Sequence, residues 1–395
     1  MEDLSVMCVH GYNVYLKLTN IIFFSGFGVT RYTQLVIEKF TKEPDNFEAE
    51  STLCFVFSIF RHGVRSPAFP SFPTDPYQNR SEFFPDGDGA LSKPGKQLMY
   101  RVGSIIRKRY NRYLRPTYSD EVRFVSTNME RTMMSAMLVS TGMFPPKHYQ
   151  KWSKNINWQP IPVWLDNNET DKTLLWSDST SCPRFGKDSS YLEAQSKLPD
   201  TNPEHHFYKY ISQQTGDLRN SIYDIFALWD IFECELLSGY KLPEWTKKIY
   251  PDKIRDITAE TFNQMVNGTS SMLKILSGPL YYRVYDLLRS KVNDNLTQGH
   301  KMYLHAGHDI SVLSLLRGIG YKPLHIVRPG DCVFLELHNL SNIYYVKIFY
   351  LSLLTTGEEF RELHVPGCPL PCPLSTFLTL ATTLSPPQWA AECRS

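Results

Sequence analysis

The 395-residue sequence has no large excess of either charge, since 42 lysines and arginines are balanced by 40 aspartates and glutamates. A net charge of +2 argues against a broad nucleic-acid-binding face, although a small anionic ligand needs only a local positive pocket. Charged residues make up 21% of the chain and hydrophobic residues 42%, which is ordinary for a globular protein. A chain of this length is expected to form one large domain or two smaller ones with ample core.

Long apolar segments are also missing. The apolar run Leu18–Val29 has only about twelve residues, too few to span a bilayer. It would suit the apolar part of a secretory signal, but the acidic Glu2 and Asp3 precede it, Lys17 adds the only lysine or arginine there, and no clean cleavage site follows. We therefore predict that residues 1–50 are either an altered signal sequence or an unrelated extension, and that the chain has no stable membrane span.

Zinc-ligand spacing is absent as well. The eight cysteines contain no repeated CxxC pair with partnering histidines, so a structural zinc site is not expected. The sequence has five N-x-S/T sequons, where about two are expected by chance. This excess favours a secreted or lumenal glycoprotein, a setting in which disulfides are allowed. The five asparagines are Asn79, Asn168, Asn267, Asn295 and Asn339.

What the sequence does contain is an apolar run that leads into a basic turn. Cys54–Phe60 has the length and the aromatic and β-branched content of a buried strand. It is followed by RHGVRSP over Arg61–Pro67, in which two guanidiniums flank the imidazole of His62. Arginine forks suit phosphate, and neighbouring positive charge keeps a histidine neutral and nucleophilic. A lone RH pair would favour a surface loop, but ligands gather where α/β strands end.

Two further blocks of sequence also lie at the ends of predicted strands. The alternating strand Glu121–Val125 is followed by STNMERTMMSA over Ser126–Ala136. A helix is expected to begin near Asn128, which can cap it, so that Arg131 lies in a first helical turn that favours an anion. The third block is YLHAGHD over Tyr303–Asp309, in which HAGHD follows a short strand expected over Lys301–Leu304.

Together, these blocks resemble the signatures of the histidine acid phosphatases: RHGxRxP, STDxxRTxxSA and a distal HD. This chain departs from the second signature by having Asn128 where the family usually has Asp. Three shorter stretches are similar to prostatic and lysosomal acid phosphatases in particular, and the resemblance extends from about Thr52 to Cys393. Those stretches are Trp158–Pro162, Cys182–Phe185 and Gly367–Pro373.

The resemblance implies an α/β fold with a mainly parallel sheet, helices on both faces and a phosphoglycerate mutase-like core, plus a smaller, mainly helical insert. The alternation of strands and helices on both sides of the insert favours the same α/β class. The predicted parts are an N-terminal segment over 1–50, the first part of the core over 51–165, a helical insert (cap) domain over 166–296 and the second part of the core over 297–395.

Local patterns add detail to this organisation. Ser92 is expected to cap a helix that runs to about Leu114, with Arg107–Arg109 on a solvated face. In the insert, helices are predicted over 204–216, 219–237, 253–276 and 280–293. Three aromatic residues of the second of these helices are expected to be core rather than substrate wall: Phe226, Trp229 and Phe232.

The resemblance also implies how a site would work, without metal or cofactor. His62 would be the nucleophile and form a phosphohistidine, and Asp309 would be the general acid and then the base for water. The need for a protonated Asp309 beside a neutral His62 predicts an acidic pH optimum. The phosphate of a small phosphorylated substrate would be bound by Arg61, Arg65, Arg131 and His308.

Three disulfides follow from the resemblance alone, because six cysteines allow fifteen pairings that the sequence cannot distinguish. They are Cys182 with Cys393, Cys234 with Cys332 and Cys368 with Cys372. Cys8 and Cys54 remain, and Cys54 on the strand is expected to be a small buried apolar residue.

The leading interpretation is a broad-range acid phosphatase that is secreted or lysosomal and forms a homodimer near Trp158–Pro162, as the resemblance implies. A narrower phosphatase for inositol phosphates or lysophospholipids is an alternative. A third is a secreted protein that binds a phosphate ligand without turnover, although binding alone does not need Asp309. Neither nucleic acid nor a membrane is expected as a partner.

Overall fold

The computed structural model describes residues 48–165, 182–197, 204–293, 299–381 and 389–394, together with four N-terminal strands. The chain divides into two compact units, Met1–Glu48 and Ala49–Ser395. The first unit contains two antiparallel hairpins. Their strands are β1 (Val6–Val9), β2 (Tyr12–Tyr15), β3 (Lys17–Ser25) and β4 (Gly28–Val36).

The second unit is built on an eight-stranded sheet. Its strands are β5 (Leu53–Arg61), β6 (Val122–Ser126), β7 (Val163–Leu165), β8 (Met302–Gly307), β9 (Cys332–Leu340), β10 (Ile343–Leu351), β11 (Phe360–Leu363) and β12 (Cys372–Pro373). Their order is β11-β10-β9-β5-β8-β6-β7, with β12 beside β10. Strands β5, β8, β6 and β7 run parallel, and β9 to β12 extend the sheet by antiparallel pairing.

In the described residues, the helices either lie between these strands in sequence or follow the last of them. They are α1 (Arg80–Phe83), α2 (Lys93–Arg109), α3 (Glu130–Met143), α4 (Pro183–Ser196), α5 (His205–Thr215), α6 (Ile222–Leu237), α7 (Asp252–Asn267), α8 (Ser270–Asn293), α9 (Asp309–Gly318), α10 (Leu374–Ala381) and α11 (Trp389–Arg394). Within the described ranges, no helix is both long and apolar enough to cross a bilayer. The α/β fold is as predicted.

Helices α4 to α8 fall in the part that was expected to be a helical insert. The expected break between helices over 253–276 and 280–293 is misplaced, because α7 ends at Asn267 and α8 runs without interruption from Ser270 to Asn293. The division of the chain into two core parts and a cap domain stays a prediction.

Alternating residues of β5 explain why helices cover both faces of the sheet. Phe55, Phe57 and Ile59 belong to one apolar cluster with buried residues of α7, α8 and α9. Side chains at the intervening positions point to the opposite face, since the side-chain period of a strand is two. On that face Tyr110, which follows α2, packs against Phe334 of β9 with ring centroids 6.0 Å apart. The sheet is therefore buried on both sides at its centre.

Helix α2 begins as predicted but ends earlier. The hydroxyl of Ser92 accepts a hydrogen bond from the backbone N–H of Gly95, which caps the helix. The solvated face that was expected at Arg107–Arg109 is wrong for Arg109, which is buried and forms an ion pair of 2.8 Å with the buried Glu336. Its guanidinium also lies 4.2 Å from the centroid of the Phe349 ring. The partners come from β9 and β10, so the local charge pattern could not indicate them.

Helix α3 also begins differently from the expectation. Asn128 is exposed and does not cap it, because the N-cap position is Met129 and no side chain caps this end. Arg131 still lies in the first turn. The predicted position of Arg131 in the first helical turn is therefore correct, although the predicted cap residue is not.

The structure contains two of the three disulfides that the resemblance implied, Cys182–Cys393 and Cys368–Cys372. The third, between Cys234 and Cys332, is not formed, and both are buried free thiols. The two sulfurs have different surroundings: Cys234 Sγ lies 3.4 Å from a nitrogen of Arg65, whereas Cys332 Sγ donates to the Gly330 carbonyl at 3.2 Å. Cys54 is a half-buried free thiol, and the Cys8 side chain lies outside the described residues.

His305 on β8 is a buried polar group outside the proposed chemistry. Its side chain packs against Phe57 with ring centroids 4.9 Å apart, and neither ring nitrogen has a hydrogen-bond partner in the part of the chain that the structure describes. Burial, with smaller contributions from Arg283 and Arg123, lowers the pKa of His305 to about 3. An imidazole in the unfolded chain titrates near its ordinary pKa of about 6.5. Between these two values the unfolded state binds a proton that the native state does not.

This difference predicts an acid-sensitive contribution to stability. The free energy of unfolding contains a His305 contribution that falls as the pH falls from about 6.5 towards 3, by about 2–3 kcal/mol at pH 4.5. His305→Phe removes the titrating group, so its free energy of unfolding is expected to decline less than that of the wild type between pH 7 and pH 4.5. Any packing cost of the new ring is the same at both pH values. Denaturant titrations at the two pH values measure the free energy of unfolding of both proteins. An equal decline in wild type and variant would contradict the contribution of His305.

Candidate active site

Three neighbouring parallel strands end at the same edge of the sheet. In the registers of β8 with its two neighbours, Arg61 pairs with Gly307 and Ser126 pairs with Ala306. The residues that follow these strands therefore lie side by side, as ligand-binding residues do in α/β sheets. They are the candidate residues of the three sequence blocks: His62 after β5, His308 and Asp309 after β8, and Arg131 shortly after β6.

Two glycines allow the turn after β5 to pack on the start of α2. A Cβ atom on Gly63 would lie 2.7 Å from the carbonyl oxygen of Gly95, and one on Gly95 would lie 2.0 Å from the carbonyl oxygen of Val64. Both contacts are too short for any side chain. The Gly63 N–H donates to Ser135 Oγ at 3.1 Å, which ties the turn to α3 as well. The backbone around His62 is therefore held from two sides.

The ring of His62 is buried at 2% exposure and has a defined tautomer. Its Nδ1 lies 2.8 Å from the carbonyl oxygen of Gly63, which can only accept, so Nδ1 carries the proton and Nε2 keeps its lone pair. Burial and then the nearby Arg61 and Arg65 guanidiniums lower the pKa of His62 well below its ordinary value. The ring is consequently neutral and carries a lone pair at Nε2 even in acid.

Arg61 and Asp309 form a buried ion pair. A guanidinium nitrogen of Arg61 lies 2.9 Å from Asp309 Oδ2, and another donates to the carbonyl of Val327 at 2.6 Å. Burial acts to raise the pKa of Asp309, but Arg61 and then His308 hold it below the ordinary value. The Ile310 N–H also donates to Asp309 Oδ1 at 2.8 Å, which favours the charged form. Asp309 is therefore a carboxylate in this state.

Arg65 is held by a carboxylate that sequence reasoning missed. Its two terminal nitrogens donate to Asp230 on α6 at distances of 3.0 and 2.7 Å, in a buried bidentate pair. Burial acts to lower the pKa of Arg65, but Asp230 raises it above its ordinary value. Asp230 is 165 residues away in the sequence, and its place in an apolar helix gave no signal of this role.

Arg131 differs from the other two arginines because it forms no ion pair with a carboxylate of the described residues. It is half-buried, and burial followed by the repulsion of Arg65 lowers its pKa to about 10. The buried Nε atoms of Arg61, Arg65 and Arg131 likewise have no hydrogen-bond partner within the described chain. The site thus has surplus positive charge and N–H donors that no described protein group uses.

His308 completes the cluster as a second neutral imidazole. Its Nε2 lies 3.2 Å from the hydroxyl of Thr127, and its ring meets that of His62 edge-on with centroids 5.6 Å apart. Burial, which Asp309 opposes and Arg131 reinforces, lowers the pKa of His308 to about 4. Thr127 belongs to the second sequence block, but its contact with His308 could not be read from spacing.

The arrangement suits an anion rather than a cation. No group of three or more His, Cys, Asp or Glu residues in the described ranges could hold a metal ion. Instead, guanidiniums converge on one imidazole with a free Nε2, beside a carboxyl group. Such a set can neutralise a phosphate, present a nucleophile and transfer a proton.

Comparisons with known proteins agree with this geometry. "Venom acid phosphatase Acph-1" of Apis mellifera is 31% identical over 83% of this chain and 84% of its own length. "Prostatic acid phosphatase" of Rattus norvegicus is 30% identical over 86% of this chain and 89% of its own length. Among solved structures, "Hafnia Alvei phytase in complex with myo-inositol hexakis sulphate" has a TM-score of 0.60 at 16% identity and covers 87% of this chain and 99% of its own.

The sequence profile described as "Histidine phosphatase superfamily (branch 2)" matches residues 52–350, which include all three sequence blocks and the strands that carry them. The chain therefore belongs to the histidine phosphatase superfamily, branch 2.

Proposed function

We infer that this protein is an acid phosphatase, a hydrolase that converts phosphate monoesters into an alcohol and orthophosphate. The observation that carries the inference is a neutral, buried His62 with a free Nε2, surrounded by Arg61, Arg65 and the unpaired Arg131. Family membership and relatives whose names are acid phosphatases support the same activity.

In the proposed reaction, the three arginines and His308 bind the phosphate oxygens and orient phosphorus towards Nε2 of His62. The bond between Nε2 and phosphorus forms as the bond to the leaving oxygen breaks, and Asp309 gives that oxygen its proton. Water then attacks the phosphohistidine, the Asp309 carboxylate takes its proton, and orthophosphate leaves with His62 restored. Atoms and charge balance without a metal or a cofactor.

The two key groups set opposite limits on pH. The nucleophile needs an unprotonated His62, whose lowered pKa keeps it neutral well below pH 6.5. The acid needs a protonated Asp309, whose pKa lies below its ordinary value in the free enzyme. A bound phosphate brings negative charge beside Asp309 and raises that pKa again. Because His62 is already neutral in acid, rising pH removes the proton of Asp309 without improving the nucleophile, and the optimum is acidic.

The first test is hydrolysis of p-nitrophenyl phosphate between pH 3 and pH 8 in the presence of EDTA. Wild type is expected to be active, with its maximum below neutrality, because neither step uses a metal. His62→Ala is expected to lose at least about 10³-fold in kcat, since the variant lacks the imidazole that forms the intermediate in the proposed reaction. His364→Ala, an exposed histidine outside the site, is the matched control and should keep full activity. An active His62→Ala enzyme would rule out the nucleophile.

The second test separates the acid role of Asp309 from its pairing with Arg61. In Asp309→Asn, hydrolysis of glycerol 2-phosphate is expected to fall about 10²–10⁴-fold, because an alkoxide needs the proton. Hydrolysis of p-nitrophenyl phosphate should fall much less, since nitrophenolate is a stable leaving group. Both substrates experience the same loss of the ion pair, so the ratio of the two losses isolates the proton. Equal losses would contradict the acid role.

The two main alternatives give the same site a different function. The first alternative is a narrower phosphatase for inositol phosphates, because this chain has the fold of the phytases. At 16% identity, however, that similarity shows the fold alone. A protein that binds phosphate without turnover would keep the arginines but would have no use for Asp309 held beside Arg61. We therefore retain monoester hydrolysis as the proposal.

We propose further that the protein is a glycoprotein of the secretory route, either secreted or lysosomal. Two supports are its intramolecular disulfides and relatives named as venom, prostatic and lysosomal acid phosphatases. Of the five sequons, Asn79 and Asn267 are exposed and Asn339 is half-buried. Asn168 and Asn295 lie outside the described residues.

A homodimer is the proposed oligomeric state, with its interface near Trp158–Pro162. The supporting observation is a group of exposed apolar side chains in the segment 149–164, here called the patch, which includes Trp164 on β7, the last strand at one end of the sheet order. The patch consists of Tyr149, Trp152, Ile156, Trp158 and Trp164.

One sedimentation experiment on protein secreted from eukaryotic cells tests both proposals. The wild type is expected to sediment as a dimer at micromolar concentration and to lose glycan mass after enzymatic deglycosylation. Trp164→Glu places a charge in the patch and should give a monomer, whereas Tyr191→Glu, at an exposed aromatic residue on α4, should leave the dimer intact. A monomeric wild type or an unglycosylated secreted protein would refute the corresponding proposal.

A further inference from the structure

A short segment that precedes β9 contacts both Arg61 and His62. A guanidinium nitrogen of Arg61 donates to the carbonyl of Val327 at 2.6 Å, and the Arg61 backbone N–H donates to the carbonyl of Asp331 at 2.9 Å. The N–H of Gly330 donates to the carbonyl of His62 at 3.2 Å. The position of a phosphate-binding arginine and that of the proposed nucleophile therefore both depend on the conformation of this segment.

The carboxyl group of Asp331 closes this segment, residues 327–331. Its Oδ2 accepts a hydrogen bond from the backbone N–H of Arg328 at 2.7 Å and another from the hydroxyl of Tyr350 on β10 at 2.5 Å. The Asp331 N–H donates to the carbonyl of Arg328 at 3.1 Å. Asp331 is fully buried, and its Oδ1 has no hydrogen-bond partner among the described residues. One carboxyl oxygen thus fixes the two ends of the turn to each other and to β10.

The hydroxyl of Tyr350 is itself oriented. It lies 2.5 Å from Nε2 of His325, and the two rings meet edge-on with centroids 4.9 Å apart. A hydroxyl has one proton and a carboxylate oxygen can only accept, so the proton points to Asp331 and the Tyr350 oxygen accepts from Nε2–H of His325. The donor to Asp331 therefore has a fixed direction.

Asp331 changes charge in mild acid, whereas the titratable groups beside it do not. Burial raises the pKa of Asp331 to about 6, although its hydrogen bonds and the charge of Arg61 oppose the rise. Burial also raises the pKa of Tyr350 and of Cys332 well above their ordinary values and lowers that of His325 to about 4. These three groups are neutral between pH 5 and pH 7, so the charge that faces Arg61 from this network changes only at Asp331.

Ionisation of Asp331 and binding of an anion at Arg61 oppose each other. A carboxylate and a phosphate are both stabilised by the positive charge of Arg61, and they repel each other. A phosphate at Arg61 therefore raises the proton affinity of Asp331. By linkage, a proton on Asp331 increases the affinity for phosphate by the same factor.

We propose that Asp331 is a positioning residue of the phosphate site: its carboxyl group fixes the segment 327–331 against Arg61 and His62, and the proton that it takes up in acid strengthens phosphate binding. The inference rests on the proposed function, because the anion at the arginines is then the reacting phosphate. Asp331 makes no contact with the substrate in this proposal and acts through Arg61 and His62.

Binding of sulfate, measured by calorimetry, tests the role of the charge without turnover, because sulfate stays a dianion between pH 5 and pH 7. At pH 7, Asp331→Asn is expected to bind sulfate about threefold to tenfold more tightly than wild type, and at pH 5 the two affinities should be nearly equal. The amide oxygen of asparagine accepts the same two hydrogen bonds, so the variant lacks only the titrating charge. An equal pH dependence in both proteins would overturn the role of the charge.

Asp331→Ala tests the positioning. Its kcat/KM for p-nitrophenyl phosphate at pH 5, normalised to the folded fraction, is expected to fall about tenfold to a hundredfold, because Arg61 and His62 lose their support. Asp331→Asn should keep most of the wild-type value. Asp75→Ala is the matched control, since Asp75 is also buried and accepts a backbone N–H, that of Tyr77, at 2.7 Å. A wild-type rate in Asp331→Ala, or an equal loss in Asp75→Ala, would overturn the positioning role.

Tyr350→Phe provides a test that does not depend on the folding of Asp331→Ala. It removes a donor to the carboxylate and keeps the ring, so the Asp331 carboxylate is less stabilised. The midpoint of the pH dependence of sulfate binding is expected to move to higher pH by about one pH unit. A midpoint that stays in place or moves to lower pH would overturn the assignment of this titration to Asp331.

Two results distinguish this inference from the proposed function. Hydrolysis of p-nitrophenyl phosphate by a wild type whose sulfate affinity differs in no way from that of Asp331→Asn would overturn the role of the Asp331 charge and leave the phosphatase standing. A wild type that neither hydrolyses the ester nor binds sulfate would overturn both.

Discussion

The structure depends on how it accommodates several positive groups around one buried imidazole. Three guanidiniums and two histidines at a strand edge would repel one another if all were charged and unpaired. Asp309 pairs with Arg61, Asp230 pairs with Arg65, and both histidines stay neutral because burial and the arginines lower their pKa values. What remains is the positive charge of Arg131, which a phosphate can neutralise. The same compensation leaves His62 neutral with a free lone pair at Nε2, which is the state that its proposed role as nucleophile requires.

The fold supplies the geometry that this compensation requires. The parallel register of β5, β8 and β6 brings three chain segments to one edge of the sheet. Close packing of Gly63 on Gly95 then fixes the turn that carries His62, since no larger residue fits at either position. Asp230 reaches the site from α6 and holds Arg65 by two hydrogen bonds.

Acid is expected to be both useful and costly to this protein. In the proposed reaction, low pH supplies the proton that Asp309 donates. His305 is buried without hydrogen-bond partners in the described chain, and it makes the native state less stable as pH falls. The buried ion pair of Arg109 with Glu336 also loses stabilising energy in acid. Burial acts to raise the pKa of Glu336, but its partners, His338 first, hold that pKa below the ordinary value, so protonation of Glu336 at low pH destabilises the native state. Function in acid therefore depends on native-state contacts outside the site as well.

The sequence by itself determined the α/β class, the strand before His62 and the positions of His62, Arg131 and Asp309, because each depends on short patterns at strand ends. It could not reveal Asp230, Glu336 or the free thiols of Cys234 and Cys332. Their surroundings join segments that are far apart in the chain, and local patterns contain no information about such contacts. Tertiary structure alone decided which arginine is paired and which is available to phosphate. That choice depends on where carboxylates lie in space, whereas the motif shows only where the arginines lie along the chain.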